Sequence, residues 1–292
     1  MYELIQIAEK NYYVESPSKI GIVKLNENEV CLIDSGNDKD AGKKVRHILD
    51  KNQWRLSAIY NTHSNADHIG GNKYLQAQTN CKIYAKNIEC AFTKYTVLGP
   101  AFLFGAYPPK DLRHKFLYAG ESSAELLTSD VLPDCLQMID LPGHFFDMVG
   151  FRTDDDVVYL ADCLSSVETL NKYQISFVYD VGAYIQTLET VKNMQAKIFV
   201  PAHAGITDNI APLADFNIRK VYEIAEKITQ ICSVPTCFEQ ILQKLFNEYN
   251  LKMNFEQYVL VGSTVRSYLA WLKDNNQLTV DFDNNIMLWK CI

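Results

Sequence analysis

The sequence shows none of the patterns that are typical of segments directing a protein into or across a membrane. Its amino terminus, MYELIQIAEKNYYVE, has no basic stretch followed by a long apolar core, so we expect no signal peptide. No apolar run approaches the roughly 18 residues that a membrane-spanning helix requires. These absences predict a cytoplasmic protein with no membrane partner.

Closely paired cysteines are also missing. The chain has eight cysteines, scattered from Cys31 to Cys291, and no two of them form a C-x-x-C pair. In a large chain without a signal peptide, scattered cysteines predict reduced and mostly buried thiols. A disulfide-stabilised exported protein is the alternative that this pattern disfavours.

Positive charge is in deficit, with 28 Lys and Arg against 35 Asp and Glu and a formal net charge of -7. Because phosphate backbones are bound by clustered Lys and Arg, this balance argues mildly against a nucleic-acid partner. Hydrophobic residues make up 48% of the 292 residues, which is ordinary for a globular protein with a core. We expect one large domain, or one domain with a small addition.

Strand-like and helical patterns alternate over the first two hundred residues. Helical spacing of apolar residues appears at 39–52, near 69–78 and at 183–195. Short β-branched or aromatic runs predict strands, among them YELIQIA, NYYVE, IGIVKL, EVCLID, LSAIYNTH, CLQMIDLPGH, MVGFRT, DVVYLADC and KIFVPAH. Because several strands follow one another without intervening helices, the pattern predicts two mixed sheets with helices outside them.

The pattern of apolar residues changes after residue 210. Amphipathic helices are predicted at 211–232, 238–250 and 261–276, followed by a hairpin at 277–290 with DNN as its turn. This order is typical of a winged-helix unit. The third helix has only one Arg and one Lys, which are few basic residues for a helix that recognises DNA. We therefore expect a role in packing or in a homodimer rather than nucleic-acid binding.

Four of the six histidines share one local context, the end of an apolar strand-like run beside small or turn residues. They are His63 and His68 in NTHSNADHIGG, His144 in IDLPGHFF and His203 in IFVPAHAG, and they are joined by Asp67 and by Asp162 in VVYLADC. Sites are commonly built at strand ends. A lone histidine there is more often structural, but four with two aspartates predict a metal site. Imidazole and carboxylate together favour zinc, with iron or manganese as alternatives.

These motifs resemble those of the metallo-β-lactamase superfamily. NTHSNADHIGG is similar to its H-x-H-x-D-H signature, LPGHFFDMVGF to its next histidine motif, LADC to its bridging aspartate and PAHAG to its last histidine. The resemblance implies an α/β protein with an αββα sandwich of two mixed β-sheets flanked by helices. It assigns residues 1–210 to a catalytic domain and leaves 211–292 as a small, mainly helical, winged-helix-like domain.

The resemblance also implies a ligand set. One metal would be held by His63, the residue at position 65 and His144, and a second by Asp67, His68 and His203, with Asp162 between the two. Position 65 departs from the pattern, because Asn65 stands where the family has histidine. An amide oxygen is a weaker ligand than imidazole. Three alternatives follow: a low-affinity first site, a single ion at the second site, or a silent, degenerate enzyme, which the intact remainder disfavours.

The function implied is hydrolysis of a small-molecule substrate by a metal-activated hydroxide, with Asp67 orienting the nucleophile or accepting its proton. The family's substrates include thioesters, lactams, lactones and phosphodiesters. The irregular, aromatic-rich segment 99–119 is predicted to be a flap over the site or a loop that caps the core. Its Phe102, Phe104 and Tyr107 are candidate substrate-binding residues that fit an acyl group.

Two alternatives to an acyl hydrolase remain open at this point. A phosphodiesterase or nuclease of the same fold would use the basic residues of the flap segment, Lys110, Arg113 and Lys115. A metal-poor scaffold would instead bind a partner through its carboxy-terminal tail.

Overall fold

The structure, a computed structural model, describes residues 2–292. Its first β-sheet has seven strands that neighbour one another in chain order. Strands β1 to β4 are antiparallel, whereas β4 to β7 are parallel, so the sheet is mixed. The strands are β1 (Glu3–Gln6), β2 (Asn11–Glu15), β3 (Ile20–Lys24), β4 (Glu29–Ile33), β5 (Arg55–Tyr60), β6 (Lys82–Ala85) and β7 (Glu125–Leu126).

A second, four-stranded sheet has the order β11-β10-β9-β8. Its strands are β8 (Leu136–Asp140), β9 (Val149–Thr153), β10 (Val157–Ser165) and β11 (Ile198–His203). Strands β10 and β11 are parallel, and the other pairs are antiparallel. The prediction of two mixed sheets is therefore confirmed.

The two sheets pack against each other through alternate residues of their strands, because successive side chains of a strand point to opposite faces. Cys31 and Ile33 of β4 belong to the cluster between the sheets, together with Phe151 and Tyr159 of the second sheet. Leu32, between them in the chain, belongs to the cluster on the other face of the first sheet.

Helices cover the outer faces of both sheets and complete the predicted αββα sandwich. Residues of α1 and α3 pack on the first sheet, and residues of α7 and α8 pack on the second. The helices before residue 210 are α1 (Lys39–Lys51), α2 (Ala66–Ile69), α3 (Asn72–Thr79), α4 (Asn87–Lys94), α5 (Leu98–Phe104), α6 (Val167–Tyr173) and α7 (Val181–Lys192).

The helix predicted near residues 69–78 differs from the structure, which has two helices, α2 and α3, separated at Gly70 and Gly71. A Cβ atom on Gly70 would overlap the backbone of Asn37. The Gly-Gly pair therefore lets this turn approach the segment after β4 closely.

The segment 99–119 is more regular than its sequence predicts. Helix α5 occupies its start, with Pro100 in the first turn, where a missing N–H is tolerated. Gly105, with φ +78, ends the helix in the left-handed conformation that glycine adopts readily. The rest of the segment contains only one short 3₁₀ turn, Lys110–Leu112.

The carboxy-terminal region has the predicted order of three helices and a hairpin. Its elements are α8 (Ala211–Ile231), α9 (Phe238–Glu248), α10 (Phe255–Asp274), β12 (Leu278–Asp283) and β13 (Ile286–Cys291). Helix α10 begins six residues before the prediction, because the Asn254 side chain accepts a hydrogen bond from the Gln257 N–H at 2.8 Å and caps it. These helices share one apolar cluster with β10, β11 and α7. The domain division at residue 210 stays a prediction.

Two further findings concern the whole described chain. All eight cysteines are free, and four of them are buried. Among residues 2–292, no helix combines the length and the apolar character needed to cross a membrane.

Candidate metal centre

Six side chains predicted as metal ligands converge at one edge of the two sheets. They form two groups that share Asp162, and the ligand atoms within each group lie within 4.8 Å of one another. One group contains Asp67, His68, Asp162 and His203, and the other contains His63, His144 and Asp162.

The first motif reaches this edge through the end of β5 and the short helix α2. His63 lies three residues beyond β5 and is fully buried. Asn65 precedes α2 in an extended conformation, and Asp67 and His68 lie within the helix. The turn after β5 continues directly into α2. These four residues therefore lie close together at the end of β5.

His144 is placed by the turn between β8 and β9. Gly143 precedes it with φ +119, a conformation that favours glycine, and a Cβ atom there would overlap the backbone of Tyr184. The glycine of LPGH is therefore required for the chain to pass α7 and turn His144 into the site.

Asp162 is placed by an irregularity in β10. The register between β10 and β11 shifts on both sides of Ala161, which adopts a left-handed φ of +51. Such strained residues persist where the surrounding structure fixes them, and they cluster at functional sites. The shift turns the Asp162 carboxylate towards all four histidines.

Asp162 joins the two groups geometrically. One carboxylate oxygen lies 3.0 Å from Nε2 of His68. The other lies 3.2 Å from Nε2 of His203, 3.6 Å from that of His144 and 3.9 Å from that of His63. Asp67 completes the second group, with an oxygen 3.2 Å from Nε2 of His203 and 3.6 Å from that of His68.

Asn65 is turned into the first group. Its Nδ2 lies 3.1 Å from Nε2 of His144. Nε2 of His63 is buried and has no hydrogen-bond partner among the described residues. A buried polar atom of this kind normally finds a partner, which a cation would provide. The donor set of imidazole and carboxylate, with this orphaned nitrogen, therefore fits a divalent metal.

The charges of the cluster are strongly coupled. Burial lowers the pKa of His68, but Asp162, Asp67 and Asp34 outweigh it and hold that pKa well above its usual value. For His203, the same two carboxylates of Asp162 and Asp67 outweigh burial and raise the pKa to about 10. Protons on these rings stand where a cation would bind, so binding of a cation there would release protons and depend on pH.

The other two histidines behave in the opposite way. Burial, reinforced by the neighbouring His68, holds the pKa of His63 well below its usual value. Burial also lowers the pKa of His144. Both rings are therefore neutral at neutral pH, which is the form that binds metal.

Asp34 is a site residue that the sequence reasoning missed. Its Oδ2 accepts a hydrogen bond from Nδ1 of His68 at 2.8 Å, which fixes Nε2 of that ring towards Asp162. The N–H and O–H of Thr62 both donate to Asp34. Asp34 ends the run EVCLID, the same strand-end context that marked the other ligands, so the signal was present.

Two more contacts orient ligand rings. Nδ1 of His203 donates to the carbonyl of Pro17 at 2.9 Å, so its Nε2 points into the site. Nδ1 of His63 lies 3.0 Å from Oγ1 of Thr62. Such partners of metal-binding imidazoles fix the tautomer and the ring orientation.

Glu89 of α4 is a second site residue that the sequence reasoning missed, and unlike Asp34 it has no signal in the sequence. It is fully buried, and its carboxylate accepts hydrogen bonds from the Ser64 N–H at 2.9 Å, the Ser64 hydroxyl and the Asp147 N–H at 3.0 Å. Burial raises its pKa to about 7. Glu89 thus ties the loop that carries His63 and Asn65 to the loop that carries His144.

A cavity of about 270 Å³ lies beside the cluster and is lined by Asn65 and Asp67 on that side. Phe102 also lines it. Phe104 lies on another cleft, with its ring 6.1 Å from that of Phe255. Tyr107 is 72% exposed and lies against Arg113. The structure thus brings one of the three predicted substrate-binding residues to this cavity.

The curated proteins that this chain resembles include hydroxyacylglutathione hydrolases. A hydroxyacylglutathione hydrolase of Methylococcus capsulatus is 32% identical over 115 residues, which are 38% of this chain and 35% of that protein. One from Haemophilus ducreyi is 25% identical over 195 residues, which are 65% of this chain and 71% of that protein. The chain spans only 35–42% of the length of the first four curated relatives it matches.

A solved structure shares the fold over nearly the whole chain. The crystal structure of a beta-lactamase domain protein from Burkholderia ambifaria has a TM-score of 0.77 and 12% identity, covering 99% of this chain and 94% of that one. Residues 14–203, which include every histidine and aspartate of the cluster, match the family model of the metallo-beta-lactamase superfamily. The chain belongs to the metallo-beta-lactamase superfamily.

Proposed function

We propose that the protein is a metal-dependent hydrolase of a small acyl-type substrate, such as a thioester or a lactone. The observation that carries the proposal is the position of Asp67, which belongs to the metal-ligand cluster and also lines the adjoining apolar cavity. A substrate held in that cavity would present its reactive carbonyl to the cluster. The names of the hydroxyacylglutathione hydrolase relatives support an acyl substrate.

The residues present would hold zinc, with iron or manganese as alternatives. Asp67, His68, Asp162 and His203 would hold the more secure ion, and His63, His144 and Asn65 a weaker one beside Asp162. When bound, such a cation supplies Lewis acidity and makes water a stronger nucleophile near neutral pH.

The chain's own residues orient the reaction. The Asp67 carboxylate is partly exposed and faces the cavity, so it can hold a water molecule by a hydrogen bond and accept its proton. Asp34 and Pro17 hold the rings of His68 and His203 in position.

The basic residues that a phosphodiesterase would need are engaged elsewhere. Lys115 pairs with Asp38 at 2.9 Å, and Arg113 lies against Tyr107. Neither they nor Lys110 line the cavity. The acyl substrate is therefore favoured over a phosphodiester.

A substrate panel tests the proposal. The protein is assayed with chromogenic esters, a thioester, a lactone and a phosphodiester after addition of zinc, iron or manganese, with Asp162→Asn as the inactive control. We expect acyl hydrolysis that is lost in the control. Phosphodiester hydrolysis alone would support the alternative enzyme, and no hydrolysis with any metal would contradict both.

A further inference from the structure

We propose that the cavity beside the metal-ligand cluster is an acyl pocket that takes a short, uncharged hydrocarbon chain. This inference rests on the proposed function and names its substrate class. The acyl pocket is formed by α4, α5, the segment 105–119 after α5, the turn between β8 and β9, the segment 174–180 between α6 and α7, and α10. Residues that line it include Phe92, Phe102, Leu117, Phe145, Phe177 and Leu260.

The pocket is joined to the reacting end of the site. Phe145 follows His144 in the chain, and its ring centroid lies 6.2 Å from that of His63. The ring of Phe177 lies 5.4 Å from that of His144. With Asn65 and Asp67 on the same wall, a carbonyl at the cluster would direct its hydrocarbon chain between these rings.

The walls are held by aromatic contacts. Phe92 and Phe145 meet at 5.3 Å between centroids, and Phe102 and Phe145 at 6.3 Å, both nearly edge to face. Edge-to-face pairs are the favoured arrangement of aromatic rings and fix their positions. The pocket is therefore preformed rather than created by the substrate.

The size of the pocket limits the chain that fits. Its volume of about 270 Å³ lies just below the roughly 300–1,000 Å³ of typical small-molecule sites. A short to medium acyl chain fits, whereas a long fatty chain or a bulky ring system does not.

The charges of the pocket exclude an anionic acyl group. Of the described residues that line it, none is Lys or Arg, and the two charged ones, Asp67 and Glu256, are both acidic. A carboxylate at the far end of the substrate chain, away from the cluster, would lose its hydration, find no Lys or Arg among the lining residues and face the like charge of Glu256. The pocket therefore selects an uncharged hydrocarbon.

One wall of the pocket comes from outside the region that defines the family. Glu256 and Leu260 belong to α10, beyond residues 14–203 that match the family model. The carboxy-terminal region thus contributes directly to substrate choice. Leu260 is the specificity-determining residue that we expect to be most sensitive to size.

A series of p-nitrophenyl esters from acetate to octanoate measures the pocket, because their leaving group is constant. We expect kcat/KM to rise by up to about fourfold per methylene while the chain is being buried, and then to fall. A p-nitrophenyl ester whose acyl chain ends in a carboxylate, matched in length to hexanoate, should react at least about tenfold more slowly than hexanoate, because its charge is buried without a partner.

Variants of α10 test whether Leu260 sets the preferred length of the acyl chain. Leu260→Trp should move the optimum to shorter chains and leave acetate nearly unchanged, whereas Leu260→Ala should move it to longer chains. Ala270→Trp is the matched control, since Ala270 is an exposed residue of the same helix that faces a different cleft. Leu260→Ala keeps the test valid where the tryptophan variant does not fold.

The outcomes separate the two proposals. Hydrolysis of acetate with a flat chain-length profile, or with a profile that neither Leu260 variant moves, would overturn the acyl pocket and leave the proposed function standing. Absence of all hydrolysis would contradict the proposed function. The pocket is then tested by hexanamide, which should raise the melting temperature of the wild type but not of Leu260→Trp. No rise in the wild type would overturn the pocket.

Discussion

Nδ2 of Asn65 lies 3.1 Å from Nε2 of His144 and donates a hydrogen bond to it. A cation in the first group would need Nε2 of His144 as a ligand. For Asn65 to serve as a ligand, its amide must rotate and present Oδ1, which is a weaker donor to zinc than imidazole. The second group has no such substitution, because Asp67, His68, Asp162 and His203 are all present and their ligand atoms lie within 4.8 Å of one another.

Replacing Asn65 by histidine should therefore strengthen the first site. We expect Asn65→His to raise the metal content of the purified protein by up to one ion per chain. Elemental analysis measures it, with Asn275→His, an added histidine at an exposed position, as the control. Unchanged stoichiometry in Asn65→His would show that the asparagine is not the weak point.

The two groups should also differ in their importance for activity. If the second group holds the main ion, His203→Ala should lower kcat/KM more than His144→Ala does. Steady-state kinetics with one acyl substrate at saturating zinc compares the two variants. Equal losses would instead indicate two working metals.

Asp34→Asn should weaken metal binding although Asp34 is not itself a predicted ligand. The carboxylate holds Nδ1–H of His68, and loss of such a partner typically lowers metal affinity about 10–100-fold. Competition with a chromogenic chelator measures the affinity. Asp40→Asn, at an exposed position in the first turn of α1, is the control, and an affinity equal to that of the control would refute the role of Asp34.

Glu89 should make stability fall as pH rises. Its folded pKa of about 7 lies above the ordinary glutamate pKa of 4.5, so the folded chain keeps a proton that the unfolded chain releases between these values. The associated stability is present below the unfolded pKa and is lost as pH rises through the folded one. The change amounts to about 3 kcal/mol, from about 1.4 kcal/mol per pKa unit.

Urea unfolding of the metal-free wild type and of Glu89→Gln at pH 5 and pH 8 tests this. The variant cannot titrate at position 89. The unfolding free energy of the wild type should therefore fall between pH 5 and pH 8 by more than that of the variant. A difference that is the same at both pH values would exclude ionisation of Glu89 in this range.

Much of the site could be predicted because its information is local. The strand-end context of His144 and His203 marks them in the sequence, and Asp34 shares that context. Glu89 could not be found in this way, because its role depends on contacts with Ser64 and Asp147, which lie 25 and 58 residues away in the chain.

The substrate-binding prediction illustrates a second limit. Phe102 and Phe104 lie in helix α5, where residues two apart point about 200° apart around the axis. In the structure Phe102 lines the cavity beside the cluster and also a second cleft, whereas Phe104 lines only the second cleft. An aromatic-rich segment read as irregular does not reveal this, because only the helical assignment fixes the two directions.

The metal content of protein purified without chelator tests the central claim most directly. Elemental analysis should find about one zinc, iron or manganese ion per chain, held by Asp67, His68, Asp162 and His203, and should find it lost in Asp162→Ala. A content near zero that persists after all three metals are supplied would contradict the assignment of this cluster as a metal centre.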